Sequence, residues 1–469
     1  MISLPDEVAV INVGLNRFAE AVEAQGRPVV SVDWRIPGDG EPELVAALRR
    51  LYGPQADRVD TANAEVVRRL DEGVPMLVGV EPLGRAAPAL PSRTLLHCGP
   101  PIAYATACDP LQRSMRAAVV AEGWAVDVGE ADRRLRTDGA GGIGLEPANH
   151  HDAVVPMVTA IGPSQPVYVV ENAAGGNRAM APISQGPGAT AWFGVESDAA
   201  IERLCFLRDI AGPLLDQVVR RHGPIDVVGL AGQGVQMGDD VHIRTQASTN
   251  LLLRNLLPRL VELGGEPGRA LAEFLSANHL FFLTMAMAAA RALVGWAAEV
   301  ADSSIVTTMT RNGSQFAVAL AGSDHWFSAP APAVGQAMFY AGFGPDDGAP
   351  DVGDSTVLEL VGLGGAAAGS SPSVAAFVGG TMADAAATSE HMASICAGES
   401  SRFKMPLLDF RGTPIGVDAR RVVELGRTPK VTTGVLHASA GTGQIGAGVA
   451  TAPIACFRDA VLDLDRRLA

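Results

Sequence analysis

Seven residues, Gly238-Asp239-Asp240-Val241-His242-Ile243-Arg244, place two carboxylates, an imidazole and a guanidinium between apolar segments. They precede a long helical pattern, Thr249 to Leu263, whose first turn offers free N–H groups and the positive end of the helix dipole. An anionic ligand is the first expectation. Arg311-Asn312-Gly313 sits between two β-branched runs. There a guanidinium and an amide can hold a carboxylate and a carbonyl together, or Asn-Gly can simply turn a hairpin. Glu171-Asn172 and Asn177-Arg178 flank Gly175-Gly176 beyond the strand Pro166 to Val170, and ligands in α/β folds gather at such strand ends. His97, ahead of Gly99-Pro100-Pro101, has a similar position; its alternative reading is a hydrogen-bonded structural histidine.

Gly441-Thr442-Gly443-Gln444-Ile445-Gly446 matches G-x-G-x-x-G, but only 23 residues follow it. A dinucleotide fold needs a further helix, strand and ribose-binding acid, so no cofactor is expected. The loop is read either as a set of backbone N–H groups near an anion or as a packing turn. His150-His151-Asp152 lacks a third ligand at a telling spacing, and no metal is expected. Gly353-Asp354-Ser355 with Glu359, and Asp409-Phe410-Arg411-Gly412 with Asp418 and Arg420, read as salt-bridged scaffolding between glycine turns. No G-x-S-x-G elbow supports a serine hydrolase.

The elements that must position these groups begin with a β-α-β pattern: Val8 to Val13, a helical Leu15 to Ala24, and Pro28 to Val32 ending at Asp33-Trp34. The fold class expected is α/β with α+β. A Rossmann-like β-α-β domain is expected over 1–93, a second α/β domain over 94–197, a mainly helical domain over 198–302 and a C-terminal α+β domain over 303–469. Stretches 139–144 and 175–188 are glycine-rich and expected as loops. Leu280 to Val300 is the most hydrophobic run, interrupted by Arg291 and Glu299, and reads as a buried helix rather than a membrane span.

Composition narrows the function. A 48% hydrophobic chain of 469 residues can bury several cores, and a formal charge of −15 repels nucleic acid and anionic lipid. Lys404 and Lys430 are the only lysines, so an anion clamp must come from arginine, helix ends and backbone N–H groups. Five scattered cysteines and an N-terminus without a basic region point to a reduced, cytoplasmic protein.

Taken in order, many of these stretches resemble a family whose understood members are subunits of oxamate carbamoyltransferase. The resemblance is carried by Asn12-Val13-Gly14, Val32-Asp33-Trp34-Arg35, His97 through Pro101, Glu122-Gly123-Trp124, Asn149-His150-His151, and Glu171 with Asn177-Arg178-Ala179. It continues through Gln236 to Asp239, His242, Arg244, Phe281-Phe282-Leu283, Arg311-Asn312-Gly313, Gly353-Asp354-Ser355, Asp409 to Pro414 and the Gly441 to Gly448 loop. Two places depart from the pattern that the resemblance implies. His279-Leu280 stands where Asp-His is expected, and Ile243 where an asparagine is expected.

The resemblance implies an assembly that moves a carbamoyl group between carbamoyl phosphate and oxamate, running as phosphorolysis of oxalurate in purine-ureide (allantoin) breakdown. Implied partners are these small anions with phosphate, an FdrA-like subunit resembling succinyl-CoA synthetase, a further small subunit, and a carbamate kinase that consumes the product. A second copy of the chain is a further candidate. Such chemistry needs two held anions, donors to a carbonyl oxygen and a base for a weakly nucleophilic amide. Arg244 and Arg311 are assigned to phosphate or carboxylate, Arg178 to a second anion contact, and Asn177 and Asn312 to carbonyl and amide groups. His97 is a further contact, His242 the proton carrier, and Asp239 the residue that orients it. On this assignment Arg311→Ala abolishes phosphorolysis with the fold intact. The competing readings are an architectural subunit that completes a partner's site, and a ureide-cleaving or acyl-CoA enzyme of another type.

Overall fold

The computed structural model describes residues 10–14, 16–32, 36–137 and 142–469. Asp33-Trp34-Arg35 and residues 139–141 of the 139–144 stretch lie outside the described residues. The first apolar runs form the expected β-α-β unit: Val10–Val13 and Val29–Val32 pair in parallel across the helix Asn16–Glu23. Among the described residues that sheet stops at two strands, so a Rossmann-like sheet is not what is built. The next strand, Pro75–Pro82, instead runs antiparallel to Pro166–Asn172 and Ile225–Asp226. Two helices, Pro42–Leu51 and Ala56–Glu72, lie between the two sheets in sequence. Pro42–Leu51 buries Leu44, Ala47, Leu48 and Leu51 on one face and packs on the last helix, Ile454–Leu468. Arg50 seals that contact on Asp465 at 2.8 and 2.5 Å. Residues 42–51 are thereby tied to the last helix, and Pro75–Pro82 belongs to a separate four-stranded sheet.

The middle of the chain is mainly helical: Asp198–Phe206, Gly212–His222, Val227–Gln236, Gln246–Leu263, Gly265–Ala277 and Phe281–Ala297. Phe281–Ala297 is buried along nearly its whole length against the strands Pro166–Asn172 and Arg178–Pro182 and the helix Ala56–Glu72. Its alanine-rich surface permits close approach on every side, so its hydrophobicity is that of a core helix. Among the described residues no single helix is long and apolar enough to cross a membrane; the pair Gly265–Ala277 and Phe281–Ala297 is bent by 81°.

Beyond it, Val306–Asn312 and Gln315–Leu320 form an antiparallel hairpin, flanked by Phe327–Pro330 and Val352–Gly353 in one sheet. A three-stranded sheet follows, ordered Gln336–Phe339, Gln444–Thr451, Lys430–Leu436. The second half of the G-x-G-x-x-G motif is therefore the start of a strand, and only Gly441 to Gly443 is loop. The stretch 175–188, expected as loop, contains the strand Arg178–Pro182. The fold is mixed α/β throughout, and one buried apolar cluster runs from Leu44 to Leu464.

Candidate active site

The acidic-basic run is organised by Asp240, which is fully buried. Its carboxylate accepts the N–H groups of His242 at 3.2 Å, Ile243 at 3.2 Å and Arg244 at 2.8 Å, and the Thr432 hydroxyl at 3.1 Å. These donors stabilise the charge, although burial still pushes its pKa up. The chain folds tightly round this carboxylate. Val241 is held at φ 60°, a left-handed conformation that a β-branched residue rarely adopts, and its N–H reaches the Arg244 carbonyl at 3.0 Å. The turn sends His242 inward and Arg244 outward.

His242 meets Glu359, on the short helix Val357–Leu360, with Nδ1 2.8 Å from Oε1. Both side chains are buried. The same Oε1 accepts from the N–H groups of Gly365 and Thr432, each at 3.2 Å. A carboxylate on Nδ1 fixes the tautomer and leaves Nε2 as the basic nitrogen. Gly364 makes the pair possible: a Cβ there would stand 2.0 Å from Glu359 Oε1 and 3.0 Å from His242 Nδ1. Gly364→Ala should therefore separate them. The slowly exchanging Nδ1 proton of His242 should be lost from the NMR spectrum, and the denaturation midpoint should fall by an overpacking cost of about 1–3 kcal/mol.

His242 lines a small inner cavity of about 60 Å³ together with Ser355, Ile243, Leu280 and Gln444. Phe193, Ile243, Leu280, Gln444 and Ala447 also line an outer cleft of about 580 Å³, so the two spaces adjoin. Thr442, from the glycine loop, lies on that cleft. Ser355 is backed by Arg311, whose Nη1 donates to the serine Oγ at 3.3 Å. An oxygen that accepts from a guanidinium keeps its own O–H for another acceptor. Imidazole, hydroxyl and an enclosed volume are thus assembled in one place, an arrangement suited to moving a proton and polarising a carbonyl.

Several residues assigned from sequence have other partners. Asp239 does not orient His242: it accepts the N–H groups of Ala247 at 3.2 Å and Ser248 at 2.8 Å, capping the helix Gln246–Leu263. A carboxylate beside an Asn-, Asp- or Ser-type helix start is held by the orphan N–H groups there. Asp239→Ala should lower stability by about 1–2 kcal/mol, read as a shifted denaturation midpoint. Arg244, partly exposed, is 3.6 Å from Asp239 and lies on neither cavity. Arg311 is fully buried, bound to Asp351 at 2.8 Å, the Gly353 carbonyl at 2.7 Å and Thr433 at 3.2 Å. It braces the site wall from behind rather than presenting a free guanidinium.

Asn312 takes the hairpin role. Its Oδ1 accepts from the N–H groups of Ser314 and Gln315, and its amide donates to the Pro100 carbonyl at 3.0 Å. His97 is buried beside that loop, with Nδ1 2.8 Å from the Cys98 carbonyl and Nε2 without a partner among the described residues. Burial lowers its pKa. Asp354, next to Ser355, accepts from Gly99 N–H at 2.9 Å, Val155 N–H at 3.0 Å and the Thr310 hydroxyl; burial raises its carboxyl to about 6. Asn177 and Arg178 line a separate groove of about 760 Å³ with His150, His151, Arg85 and Arg220. Asn177 bonds Ala292 and Asn172, and Arg178 pairs with Glu171. The assigned groups therefore do not share one pocket.

Sequence reasoning read Ser355 and Glu359 as scaffolding and Gln444 as part of a glycine loop, and it passed over Gly364. The signal available was a carboxylate and a hydroxyl beside an unusual density of glycine, Gly362, Gly364 and Gly365, which marks close backbone approach. Ile243, His279 and Leu280, the departures from the family pattern, all line the outer cleft.

A family model described as "Oxamate carbamoyltransferase subunit AllG" matches residues 143–355, a span that contains His242 and Ser355. A curated relative, the oxamate carbamoyltransferase subunit AllG of Escherichia coli (strain K12), is 38% identical over 86% of this chain and 97% of its own length. The chain belongs to the AllG family. The uncharacterized protein YahG of the same strain is 35% identical over 97% of this chain and 96% of its length. A crystal structure of a conserved protein of unknown function from Enterococcus faecalis V583 superposes with a TM-score of 0.85 at 34% identity, covering 88% of this chain and 99% of that one. The AllG-family fold therefore extends over most of the chain; the model's span holds His242 and Ser355, while Glu359 and Gln444 lie beyond it.

Proposed function

We propose that this chain is a subunit of a carbamoyltransferase and contributes reacting groups to it through the His242–Glu359 pair. The single observation that carries this reading is the imidazole whose Nδ1 is bound to a buried carboxylate at 2.8 Å while its ring lines an enclosed cavity. For oxalurate and phosphate, a phosphate oxygen attacks the ureido carbonyl carbon and the bond from that carbon to the amide nitrogen breaks. His242 Nε2 takes the proton of the attacking phosphate and returns it to the leaving nitrogen, giving carbamoyl phosphate and oxamate with every proton accounted for. Ser355 O–H is the donor to the carbonyl oxygen. Backbone N–H groups around Ala440, Gly441 and Gly443, all at positive φ, are the phosphate contacts at the cleft mouth.

The chain works within a complex on this reading, beside an FdrA-like subunit and a further small subunit, with carbamate kinase drawing off carbamoyl phosphate in ureide breakdown. The exposed apolar residues Ile11, Val13, Phe18 and Val30 of the N-terminal β-α-β unit support a contact surface of that kind. The test mixes the purified chain, alone and with the partner subunits, with oxalurate and phosphate and follows ATP made from ADP by added carbamate kinase. Dependence on His242 in the complex supports the reading. Equal turnover with a His242 variant returns the chain to an architectural role, which the structural occupation of Arg311, Asn312 and Asp239 would then explain.

A further inference from the structure

Of the nine histidines in the chain, His279 is the one whose ring makes no hydrogen bond, ion pair or ring contact among the described residues. The rings of the other eight are each held by a carbonyl, a carboxylate, a backbone N–H or another ring. The free ring stands on a fixed stalk. The His279 carbonyl accepts from the hydroxyls of Thr245 at 2.9 Å and Thr249 at 3.3 Å, and the buried Asn278 before it accepts the Leu280 N–H at 3.2 Å. His279 is exposed and lines the outer cleft; Leu280, one peptide away, lines both that cleft and the inner cavity beside His242.

Positive charge is scarce there. Among the described residues neither the cavity nor the cleft is lined by an arginine or a lysine. Arg311, behind Ser355, is matched by Asp351, and Arg113, beside Gly441, is bound to Asp109 and Glu196. His242 has its Nδ1 on Glu359 and its other nitrogen for the reacting proton. Thr442 and Tyr340 supply only neutral hydroxyls. A carboxylate in this cleft therefore meets, besides His242, one group able to carry a positive charge, and that group has nothing else to bind.

We propose that His279 holds the carboxylate of the compound whose amide or ureide end lies at His242, and so sets the preference of the site for an acid over the corresponding neutral amide. This rests on the carbamoyl-transfer reading for what happens at His242, but the choice of His279 rests on its unengaged ring and its place on the cleft. The carboxylate keeps part of its hydration at the exposed side, while the uncharged end enters the enclosed cavity, so the ionic group is not stripped of water against Ile243 and Leu280.

Calorimetric titration of the assembled complex with oxamate and with oxamide, in which a neutral amide replaces the carboxylate, tests this. The wild-type complex should bind oxamate more tightly. His279→Ala should weaken oxamate about five- to tenfold, the worth of one charge-assisted hydrogen bond at a partly hydrated site, and leave oxamide unchanged, whereas His279→Arg should restore the preference. In turnover the same loss should appear in KM for oxalurate with kcat near wild type. A merely structural role for His279 would weaken both ligands together. An oxamate-to-oxamide ratio unchanged in His279→Ala, or a wild-type complex that binds the two equally, overturns the proposal. Turnover of oxalurate separates the two claims. A ratio indifferent to His279 with turnover that needs His242 sinks the carboxylate contact and leaves carbamoyl transfer standing. A ratio that depends on His279 with turnover indifferent to His242 keeps the contact and removes the proton carrier.

Discussion

Replacing His242 with glutamine should lower carbamoyl transfer by the assembled complex roughly 10²- to 10⁴-fold, the range for loss of one positioned proton carrier. The chain should remain folded, because the imidazole makes a single side-chain hydrogen bond and one of its edges already faces a cavity. Glu359→Gln should approach the same loss by a different route. An amide can donate to Nδ1, which places the ring proton on Nε2, where the reaction needs a lone pair. Single-turnover measurement of carbamoyl phosphate would resolve the two variants from a defect in assembly. Turnover within a few-fold of wild type in both would place the reacting groups on another subunit.

The second large effect is on stability. Arg311→Met should destabilise the chain by about 3–5 kcal/mol, because it leaves Asp351 buried with no cation. Both residues are fully inaccessible, and the remaining Asp351 oxygen has only Thr433 and the Val352 N–H as donors, at 2.9 and 3.0 Å. Pairing the change with Asp351→Leu should restore part of the loss, since replacing a whole buried ion pair by apolar groups costs far less than orphaning one member. Denaturant midpoints for the two single variants and the double variant read this directly. A wild-type midpoint in Arg311→Met, combined with lost transfer, would return Arg311 to the role of a ligand contact. The sequence expectation of an intact fold after Arg311→Ala is reversed for the same reason: the partner that makes Arg311 structural lies 40 residues away.

That separation shows what a sequence discloses and what it withholds. Hydrophobicity located Phe281–Ala297, because a buried helix needs only an apolar run along its own length. The expectation for 239–244 drew on a dense polar run between apolar segments, and the structure shows its imidazole lining a cavity. The carboxylate it paired with that imidazole is elsewhere. Asp239 is near His242 in sequence, but a tight turn round Asp240 points neighbouring side chains apart, and the partner is Glu359, 117 residues on. The Asn177-Arg178 bend likewise looked like a ligand site and does line a groove, but nothing local to it specifies which groove. Strand pairing was the least legible feature. Pro75–Pro82 is the apolar run a buried strand should be, yet nothing in that run names its antiparallel partner, which is a tertiary outcome.

The most direct test is chemical rescue of His242→Ala in the assembled complex. Removing the imidazole enlarges the cavity beside Glu359 and leaves a space that free imidazole can occupy against the same carboxylate. If His242 carries the proton, adding imidazole should raise carbamoyl phosphate formation from oxalurate and phosphate in a saturable way, and Glu359→Ala in the same background should abolish the gain. A folded, assembled His242→Ala complex that is already fully active, or one that imidazole fails to rescue while it binds in the vacated space, contradicts the account.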